Sequence, residues 1–395
     1  MKYLWITFIL LLFVVPAQTA GDWPQYMGPN RDGSVADAGV FDGEISLKQL
    51  WSQPLGSGFS GVVVSGDRLY AMHTAGEMDA LSCFEVTTGK RLWSHAYGPT
   101  FPKVGSSEPG PLSTPVLDGN HVYGVGAYGE LFCLDAETGK LIWKRHIVEE
   151  LGAVSREVGI GTSPLVIGNH LILNVGDRKD KAIAAFHKKT GELAWHLGAE
   201  EISFQSPALM TAGGRQQVVA LSESKMRGLE PATGELIWER DSKSWLQAMP
   251  VGENLMLSAQ YHGLVLHRFK SNAGELEIEE IWNNPYLVLA YDMPVHHKGY
   301  LFGFNGPTLS CLRLQTGERL WSTGEAGGGL AILVDGHLAI MSSDGLLRIA
   351  RAWENGYQER ASIEVFEDSG LTAPSYADGV FYLRNYTHLV AVKVN

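Results

Sequence analysis

Short apolar runs alternate with polar turns along nearly the whole chain after its first twenty residues. The clearest example is the stretch Leu131 to Trp143, where one apolar run enters the turn Thr138-Gly139 and a second run ends on Trp143. Glycine supplies the positive φ that a tight turn between strands needs. Tryptophan supplies a large apolar surface to bury against a neighbour. The pattern therefore predicts a β-hairpin at this position.

The hairpin recurs at intervals of roughly 40 to 50 residues, a spacing typical of the four-stranded blades of a β-propeller. The last strand of each unit carries a tryptophan four residues after the glycine, with a longer spacing in the copy that follows Gly274. Trp51 lacks the first half of its unit, and we interpret Phe366 as a degraded copy. The tryptophan positions are Trp51, Trp93, Trp143, Trp195, Trp238, Trp282 and Trp321.

Each unit also has an opening half, in which a short pair of residues leads into an apolar run, a polar turn and a second apolar run. The openings are Ser60-Gly61, Thr114-Pro115, Ser163-Pro164, Ser206-Pro207, Met249-Pro250, Met293-Pro294, Leu330-Ala331 and Ala373-Pro374. The last opening has no tryptophan strand after it, whereas the strand of Trp51 has no opening before it. We therefore predict an all-β, eight-bladed propeller of four-stranded antiparallel blades, closed by an N-terminal strand and forming one domain over residues 21–395.

The Thr-Gly-x-x-x-Trp units resemble the tryptophan-docking repeat of the quinoprotein dehydrogenase-like (PQQ-like) propellers. That family includes quinone-dependent alcohol dehydrogenases and an outer-membrane assembly scaffold lipoprotein. The resemblance implies that the repeat tryptophans are buried between adjacent blades. The fullest form of the repeat has an aspartate three residues before the threonine, and only Asp135 matches it here. The other units carry Glu85, His187, Glu230 and Arg313.

Residues 1–20 read as a signal peptide, with Lys2 before an apolar run from Leu4 to Val15. Cleavage after Ala17, Thr19 or Ala20 is compatible with the small residues there. The run is short for a membrane span, and a retained N-terminal anchor is the alternative. Since no cysteine lies near the cut, we expect an exported protein, periplasmic or secreted, without a lipid anchor or stable membrane insertion.

The segment after the signal peptide, residues 22–33, is dense in proline, glycine and aromatic residues. This composition predicts a fixed loop rather than a helix or strand. The segment also resembles the Trp-Pro-x-aromatic-x-Gly-Pro opening of bacterial members of the propeller family. We expect it to be a plug that packs Trp23 and Tyr26 against one end of the ring.

The net charge of the chain limits the classes of partner it can bind. The formal net charge is −12, which argues against nucleic acid or an anionic membrane surface as a partner.

Cys83, Cys133 and Cys311 each lie six residues before the glycine of their repeat. Because equivalent positions of different blades are far apart, we expect three buried free thiols and no disulfide.

The chain lacks the common short signatures of catalysis or cofactor attachment. It contains no Cys-x-x-Cys-His haem site, no His-Glu-x-x-His zinc site, no Gly-x-Ser-x-Gly elbow and no P-loop. The adjacent cysteine pair of the quinone alcohol dehydrogenases is also missing. His296-His297 is the most metal-like pair, but with His121, His170 and His337 it falls in turns spread around the ring. We therefore expect exposed turn histidines there.

Propeller geometry offers a better candidate site. Loops before the opening pairs and loops after the second strands emerge on one face, around the mouth of the central channel, and a concave mixed surface is a common binding site. The candidates with the strongest chemistry are Glu108, Arg156, Glu157, Asp177, Arg178, Gln205, Gln247, Tyr261, His262, Asp292, Asn305 and Arg384. The same loops also carry His73, Glu77, Lys225 and Asn385.

Three functions are compatible with this sequence. The first is a non-catalytic, monomeric binding scaffold that recognises a protein, peptide or saccharide at the mouth and needs no cofactor. The second, implied by the family resemblance, is a dehydrogenase with a quinone (PQQ) and Ca²⁺. The third is a hydrolase that uses carboxylates at the mouth. We favour the first, and expect Glu108, Glu157, Asp292 and Asn305 not to converge on a cation but to share the mouth with Arg156, Arg178 or Arg384.

Overall fold

The alternating segments form eight sheets, each built on four antiparallel strands and arranged as an eight-bladed β-propeller; the sheet of blade 7 has β1 as a fifth, parallel strand. A computed structural model of the chain describes residues 21–103, 108–152, 159–176, 179–199, 205–222, 224–242, 248–260, 263–272, 275–287, 293–367 and 372–395. Among these residues the only helix is α1 (Ile147–Leu151), directly after blade 2. The predicted fold class and blade number are confirmed.

Two strands precede the first complete blade: β1 (Ser34–Val35) and β2 (Leu47–Pro54). Blades 1 to 4 each take four consecutive strands: β3 (Val63–Ser65), β4 (Arg68–Ala75), β5 (Met78–Glu85), β6 (Arg91–Pro99), β7 (Val116–Asp118), β8 (His121–Val125), β9 (Glu130–Asp135), β10 (Leu141–His146), β11 (Leu165–Ile167), β12 (His170–Asn174), β13 (Ile183–His187), β14 (Leu193–Leu197), β15 (Ala208–Ala212), β16 (Arg215–Leu221), β17 (Lys225–Leu229) and β18 (Leu236–Asp241).

Blades 5 to 7 also take four consecutive strands each, and the last three strands of the chain form three of the four strands of blade 8. These strands are β19 (Met249–Pro250), β20 (Leu255–Gln260), β21 (Gly263–Asn272), β22 (Glu275–Asn284), β23 (Val295–His297), β24 (Tyr300–Asn305), β25 (Thr308–Arg313), β26 (Arg319–Thr323), β27 (Gly329–Val334), β28 (His337–Ser342), β29 (Leu346–Arg351), β30 (Glu359–Glu364), β31 (Ser375–Ala377), β32 (Val380–Arg384) and β33 (His388–Val394).

The N-terminal strand β2 closes the ring by pairing with β33 as the outermost strand of blade 8. The two strands are antiparallel, with Trp51 opposite Ala391. One sheet therefore joins both ends of the described chain. Pairing β33 in this way leaves no gap in the ring between the last blade and the first. The predicted closure is confirmed.

Every outermost strand has a β-bulge at the residue before the tryptophan position. In blade 2, Leu141 lies opposite Leu134 and Trp143 opposite Cys133, so Ile142 is the extra residue. The same shift occurs in the other seven blades. A bulge bends the strand and re-aims the next side chain. It turns the indole out of its own sheet and toward the neighbouring blade.

The indole then packs on the glycine of the next blade's Thr-Gly turn. A Cβ placed at Gly191 would lie 2.6 Å from the ring of Trp143, and Trp143 Nε1–H donates a 3.0 Å hydrogen bond to the carbonyl of Lys188, three residues before that glycine. The same pair of contacts joins Trp51 to Gly89, Trp93 to Gly139, Trp195 to Gly234 and Trp282 to Gly317. Only glycine combines the required positive φ with room for the ring.

The register corrects one interpretation of the sequence. Phe366 does not occupy the tryptophan position of blade 7, because β30 ends at Glu364. Ala361 takes that place, directly opposite Ile349 and after the bulge at Arg360. Phe366 lies after the strand and is buried in the core that blades 7, 8 and 1 share with the N-terminal residues. Its apolar character and its spacing from Trp321, which is similar to that of the other units, were misleading.

The three cysteines lie in the third strands, directly opposite docking tryptophans. Cys83, Cys133 and Cys311 are free and fully buried. Burial raises the pKa of the Cys83 thiol to about 11 and of the other two thiols to about 12. They act as small apolar residues that leave room for the indole, as the sequence predicted.

Candidate functional site

Residues 21–46, which we call the plug segment, cross one end of the central channel. Trp23 pairs through its backbone with Val64 in β3 of blade 1. The carbonyl of Pro24 accepts a 2.8 Å hydrogen bond from Leu117 in β7 of blade 2. On the other side of blade 8, β1 runs parallel to β27 of blade 7. Since the first strands of the blades line a propeller channel, these contacts close the channel at the end of the turns that follow those strands.

Arg31 extends from the plug segment into the channel. Its guanidinium donates hydrogen bonds to the carbonyls of Pro164 at 2.8 Å and Ser163 at 3.1 Å, just before β11 of blade 3. The side chain of Gln25 accepts a third bond. Burial lowers the pKa of Arg31 to about 10. The channel is therefore filled from the plug side up to the level at which the first strand of blade 3 begins.

The opening residues of neighbouring blades are joined by side-chain hydrogen bonds around the other end of the channel. The backbone N–H of Gly61 donates to Oγ1 of Thr114, that of Thr114 to Oγ of Ser163, and that of Ser163 to Oγ of Ser206, at 2.8 to 3.0 Å. Four consecutive blades are linked in this way. The hydroxyl residues that mark the openings in the sequence therefore fix one blade against the next.

An aromatic pair and an ion pair lie on the mouth face over blades 8, 1 and 2. The rings of Phe59 and Tyr386 meet edge to face with centroids 5.7 Å apart. Glu108 pairs with Lys103 at 3.2 Å. Burial, and then the charge of Glu108, raise the pKa of Tyr386, so the ion pair and the aromatic pair are neighbours. Partly exposed aromatic and charged groups of this kind form a binding surface.

A buried polar cluster lies between blades 1 and 2, beneath this part of the mouth. Asp79 is the second residue of β5 and Glu130 the first residue of β9, and the two carboxyl groups interact electrostatically. Tyr97 in β6 interacts with both carboxyl groups and with Arg384. Asp79, Glu130 and Tyr97 are all less than 5% exposed. Burial first, and the charge of Glu130 in addition, raise the pKa of Asp79 to about 7.

Arg384 is not a mouth residue, which corrects the expectation from its loop position. It is fully buried between blades 8 and 1, and its guanidinium donates to the carbonyls of Met72 at 2.6 Å, Gly56 at 2.9 Å and Ser60 at 3.2 Å. Burial lowers the pKa of Arg384 to about 10. Its position at the end of β32 suggested a loop side chain, but the pleat of the strand directs it inward.

The other described candidates have separate environments. Glu108 lies at the mouth in its pair with Lys103, whereas Gln205 is buried. Asn305 is exposed and donates a 3.0 Å hydrogen bond to the carbonyl of Tyr286. Glu108 lies in the loop after blade 1, Asn305 is the last residue of β24 in blade 6, and the two share no described contact. Eight candidates lie outside the described residues: Arg156, Glu157, Asp177, Arg178, Gln247, Tyr261, His262 and Asp292.

The remaining loop residues have structural partners or solvent around them. His73 is buried against Ser82, and burial lowers its pKa to about 4. Glu77 is exposed, and Lys225 pairs with Glu239 and Asp241. The side chain of Asn385 caps the turn to His388.

The turn histidines on the opposite face are closer to one another than predicted. His296 and His337 are both near enough to His297 to lower its pKa, after burial and Lys298. All three are partly buried rather than fully exposed, because the plug segment packs on these turns, with Phe41 against His337 at 4.7 Å. The described residues nevertheless contain no group of three or more His, Cys, Asp or Glu side chains arranged to hold a metal ion.

The described residues do not fit the quinone and Ca²⁺ that the family resemblance implies. A Ca²⁺ site takes six or more oxygen ligands. Asp79 and Glu130 meet as two carboxyl groups, but Tyr97 and the buried cation Arg384 are beside them, and two carboxyl groups are too few. We therefore derive no step through this cofactor.

Sequence reasoning missed Phe59, Lys103 and Tyr386 because it selected the most polar residues of each loop. It also missed Asp79 and Glu130. The available signal was the same in both: a carboxylate at the first or second position of an otherwise apolar third strand, Asp79 before Ala80-Leu81 and Glu130 before Leu131-Phe132. In the structure both residues are buried, and Glu130 packs against Gly98 of blade 1.

A family model described as outer membrane protein assembly factor BamB matches residues 77–323, more than half of the chain. The chain therefore belongs to this PQQ-like propeller repeat family. In addition, the quinoprotein alcohol dehydrogenase PedH of Pseudomonas putida is 24% identical over 267 residues, covering 62% of this chain and 40% of PedH. The outer membrane protein assembly factor BamB of Burkholderia pseudomallei is 28% identical over 203 residues, covering 49% of this chain and 46% of that protein. This chain thus spans less than half of each relative.

Solved structures show the same fold at low identity. BamB from Moraxella catarrhalis superposes with a TM-score of 0.62 at 16% identity, covering 88% of this chain and 98% of that one. The quinohemoprotein alcohol dehydrogenase from Comamonas testosteroni has a TM-score of 0.69 at 14% identity, covering 95% and 81%. These likenesses show the fold that the three chains share. Within the described ranges, no helix has the length and apolar character to span a membrane.

Proposed function

We propose that this protein is an exported, non-catalytic propeller that binds a protein or peptide partner at the mouth of its channel. The observation that carries the proposal is the asymmetry of the channel. The plug segment and Arg31 fill one end, while the mouth face presents partly exposed aromatic and charged side chains. A partner can therefore approach the channel from one face, where Phe59, Tyr386, Glu108 and Lys103 are close together.

The chemistry of this surface favours an extended peptide or a protein loop. Aromatic side chains provide contact area at low entropic cost, and an ion pair at the rim selects the orientation and charge of the partner. The similarity to relatives named outer membrane protein assembly factor is consistent with a protein partner. A signal peptide in residues 1–20 is part of the proposal and places the partner in an exported compartment.

Peptide binding can be tested with purified mature protein and fluorescently labelled extended peptides of acidic, basic and aromatic composition, with neutral oligosaccharides as a second panel. We expect at least one peptide class to bind, and the double variant F59A/Y386A to weaken that binding at least about tenfold, since truncation of aromatic anchors at an interface commonly costs about 2 kcal/mol. The control is Ile142→Ala, which removes an exposed apolar side chain on the outer edge of blade 2.

Two results would contradict the proposal. Equal peptide affinity of the wild type and F59A/Y386A would exclude the described mouth as the binding surface. Binding of oligosaccharides but of no peptide would change the partner class. Charge reversal by Lys103→Glu adds a further check, because it should change the preference between acidic and basic peptides without changing the fold.

A quinone-dependent dehydrogenase is the second candidate function, supported by the similarity to PedH over 267 residues. It can be tested by adding PQQ and Ca²⁺ to the protein and following alcohol-dependent reduction of a redox dye. Under our proposal there is no such reduction. Turnover that requires all three components would establish the enzyme instead.

A further inference from the structure

Asp79 and Glu130 bring two carboxyl groups to one buried position between blades 1 and 2. Asp79 lies directly opposite Gly98 in the antiparallel pair β5–β6, and directly opposed residues direct their side chains to the same face of the sheet. A Cβ at Gly98 would lie 2.3 Å from Oε1 of Glu130. The carboxylate of Glu130 therefore occupies the space of the missing side chain opposite Asp79.

The neighbouring backbone is shaped around this carboxylate. A Cβ at Gly126 would lie 2.2 Å from Oε2 of Glu130. Tyr97 is the extra residue of a second bulge in β6, between the positions opposite Asp79 and Ala80, and its ring stacks on Phe132 with centroids 4.7 Å apart. Glycine at two positions and a bulge at a third leave the space that Glu130 fills. Bulges are common beside functional sites.

The carboxyl groups of Asp79 and Glu130 are almost fully shielded from solvent, and the pair is incompletely hydrogen-bonded. Asp79 is 1% exposed and Glu130 4% exposed. One oxygen of Asp79 accepts a 3.2 Å bond from the backbone N–H of Phe101. Among the described residues, Oδ1 of Asp79 and the hydroxyl of Tyr97 have no hydrogen-bond partner. Two ionised carboxylates in such a place would be costly, and a single proton between them removes one of the charges.

Tyr97, which interacts with both carboxyl groups, and the titratable groups linked to it have definite charges near neutral pH. Tyr97 stays protonated, because burial and both carboxyl groups raise its pKa. Arg384 from β32 is charged and lies near Tyr97. His73 from β4 stays neutral, because burial and then Arg384 lower its pKa. Hydrogen bonds from Phe101 and Thr100 favour the ionised form of Asp79, but burial and Glu130 outweigh them. Asp79 is therefore the group in this cluster whose protonation changes near neutral pH.

Asp79 also anchors the chain that forms this sector of the mouth, which we call the mouth segment (residues 100–103 and 108–112). Phe101 bonds to Asp79 through its N–H and accepts a 2.9 Å bond from Gly110 through its carbonyl. Further along, Pro109 accepts a bond from Ser57, and Pro111 accepts one from the backbone of Phe59. A chain of contacts thus runs from Asp79 to the aromatic pair of the mouth.

We propose that Asp79 and Glu130 bind one shared proton, and that release of this proton loosens the mouth segment. With the proton bound, one carboxyl group is neutral and the pair tolerates burial. After release, two negative charges share the position opposite Gly98, and the repulsion is relieved by admitting water under Phe101. The proton site does not depend on the function of the protein, whereas its effect on partner binding rests on the proposed function of the mouth.

Hydrogen exchange and carboxyl NMR test the proton site directly. In the wild type we expect the amides of Phe101 and Gly110 to lose at least about tenfold in protection, corrected for intrinsic exchange, between pH 6 and pH 8. We expect the carboxyl carbon of Asp79 to titrate near neutrality. Asp79→Asn should make the protection independent of pH, and Glu130→Gln should move the titration of Asp79 toward its ordinary acidic range. Glu137→Gln, at an exposed turn position, is the control and should behave as the wild type.

The possible outcomes distinguish a failure of the proton site from a failure of the proposed function. An ordinary acidic titration of Asp79, or the same exchange profile in wild type and in D79N, would overturn the proton site. Glu130→Gln keeps the test decisive if D79N does not fold. If exchange responds to pH but the affinity of the peptide identified at the mouth does not, the regulatory role is rejected and the proton site stands. If no peptide binds at any pH, the proposed function fails and the exchange result still decides the proton site.

Discussion

We call the contact between two adjacent blades a seam. The seam between blades 2 and 3 and the seam between blades 4 and 5 each contain a docking tryptophan, but its surroundings differ. Trp143 lies on Gly191 and donates to a backbone carbonyl of the next blade. Trp238 instead donates to the side chain of Gln217 in its own blade and packs on Phe269 of the next. The reason is in blade 5, where the long hairpin β21–β22 replaces the Thr-Gly turn. A docking tryptophan is therefore defined by its neighbour's turn as much as by its own strand.

The seam between blades 7 and 8 extends the comparison. Here Ala361 replaces the tryptophan, and the next blade has no Thr-Gly turn because the ring closes through β2 and β33. Phe41 and Ile45 of the plug segment are buried in this core, and Arg360 donates to the carbonyl of Gly43. Where the repeat cannot supply both partners of a seam, another segment of the chain fills it.

Among substitutions at the seams, Trp143→Ala should reduce the stability of the protein the most. Removing a buried tryptophan should lower the free energy of unfolding by about 3–5 kcal/mol, measured by urea denaturation. The adjacent substitution Ile142→Ala, at a side chain that is 44% exposed, should change it by less than about 0.5 kcal/mol. Similar effects of the two substitutions would show that the seam does not depend on the indole.

Gly191→Ala tests the receiving side of the same seam. The residue has a φ of 71°, and an added Cβ would lie 2.6 Å from Trp143. We expect a loss of about 2–4 kcal/mol from backbone strain and overpacking together. Gly168→Ala in the same blade has a φ of 56° and open space, so it should cost only the strain, about 1 kcal/mol. Equal losses in thermal or urea unfolding would contradict the docking geometry.

The seam between blades 1 and 2 adds a pH-dependent contribution through Asp79. Its pKa is higher in the folded state, about 7, than the ordinary value of 3.8. The stability that this proton binding contributes is thus fully present below the ordinary value and is lost as pH rises through about 7. Asp79→Asn should flatten this slope, with a difference of roughly 2 kcal/mol between pH 5 and pH 8. An unchanged slope in calorimetry across this range would contradict the assignment.

Gln217→Met should have the smallest effect and is specific to the irregular seam. It leaves the indole N–H of Trp238 without its acceptor, which should cost about 1 kcal/mol. Gln216→Met, at the exposed neighbouring position, is the control and should be nearly neutral. Because the regular seams use backbone carbonyls, no single side-chain substitution should remove the acceptor there. A neutral Gln217→Met would mean that Trp238 has another acceptor.

The sequence could identify only some of the residues at and beneath the mouth. Loop position predicted Glu108 and Arg384 as mouth residues, but it could not show that Arg384 faces inward, because the direction of a side chain depends on the pleat of its strand. Asp79 and Glu130 are even less visible in the sequence. They are 51 positions apart, and each looks like an ordinary polar residue at the start of a strand.

The amino-acid sequence by itself determined the repeat, the number of blades, the closing strand and the positions of the docking tryptophans. All of these follow from local alternation of apolar and polar residues and from turn chemistry, which repeat along the chain. Only the tertiary structure decided which tryptophan finds a glycine, that Ala361 and not Phe366 holds the eighth position, and that two carboxyl groups share one buried site. Those features depend on how one blade packs against the next, and packing between distant residues leaves no periodic signal in the sequence.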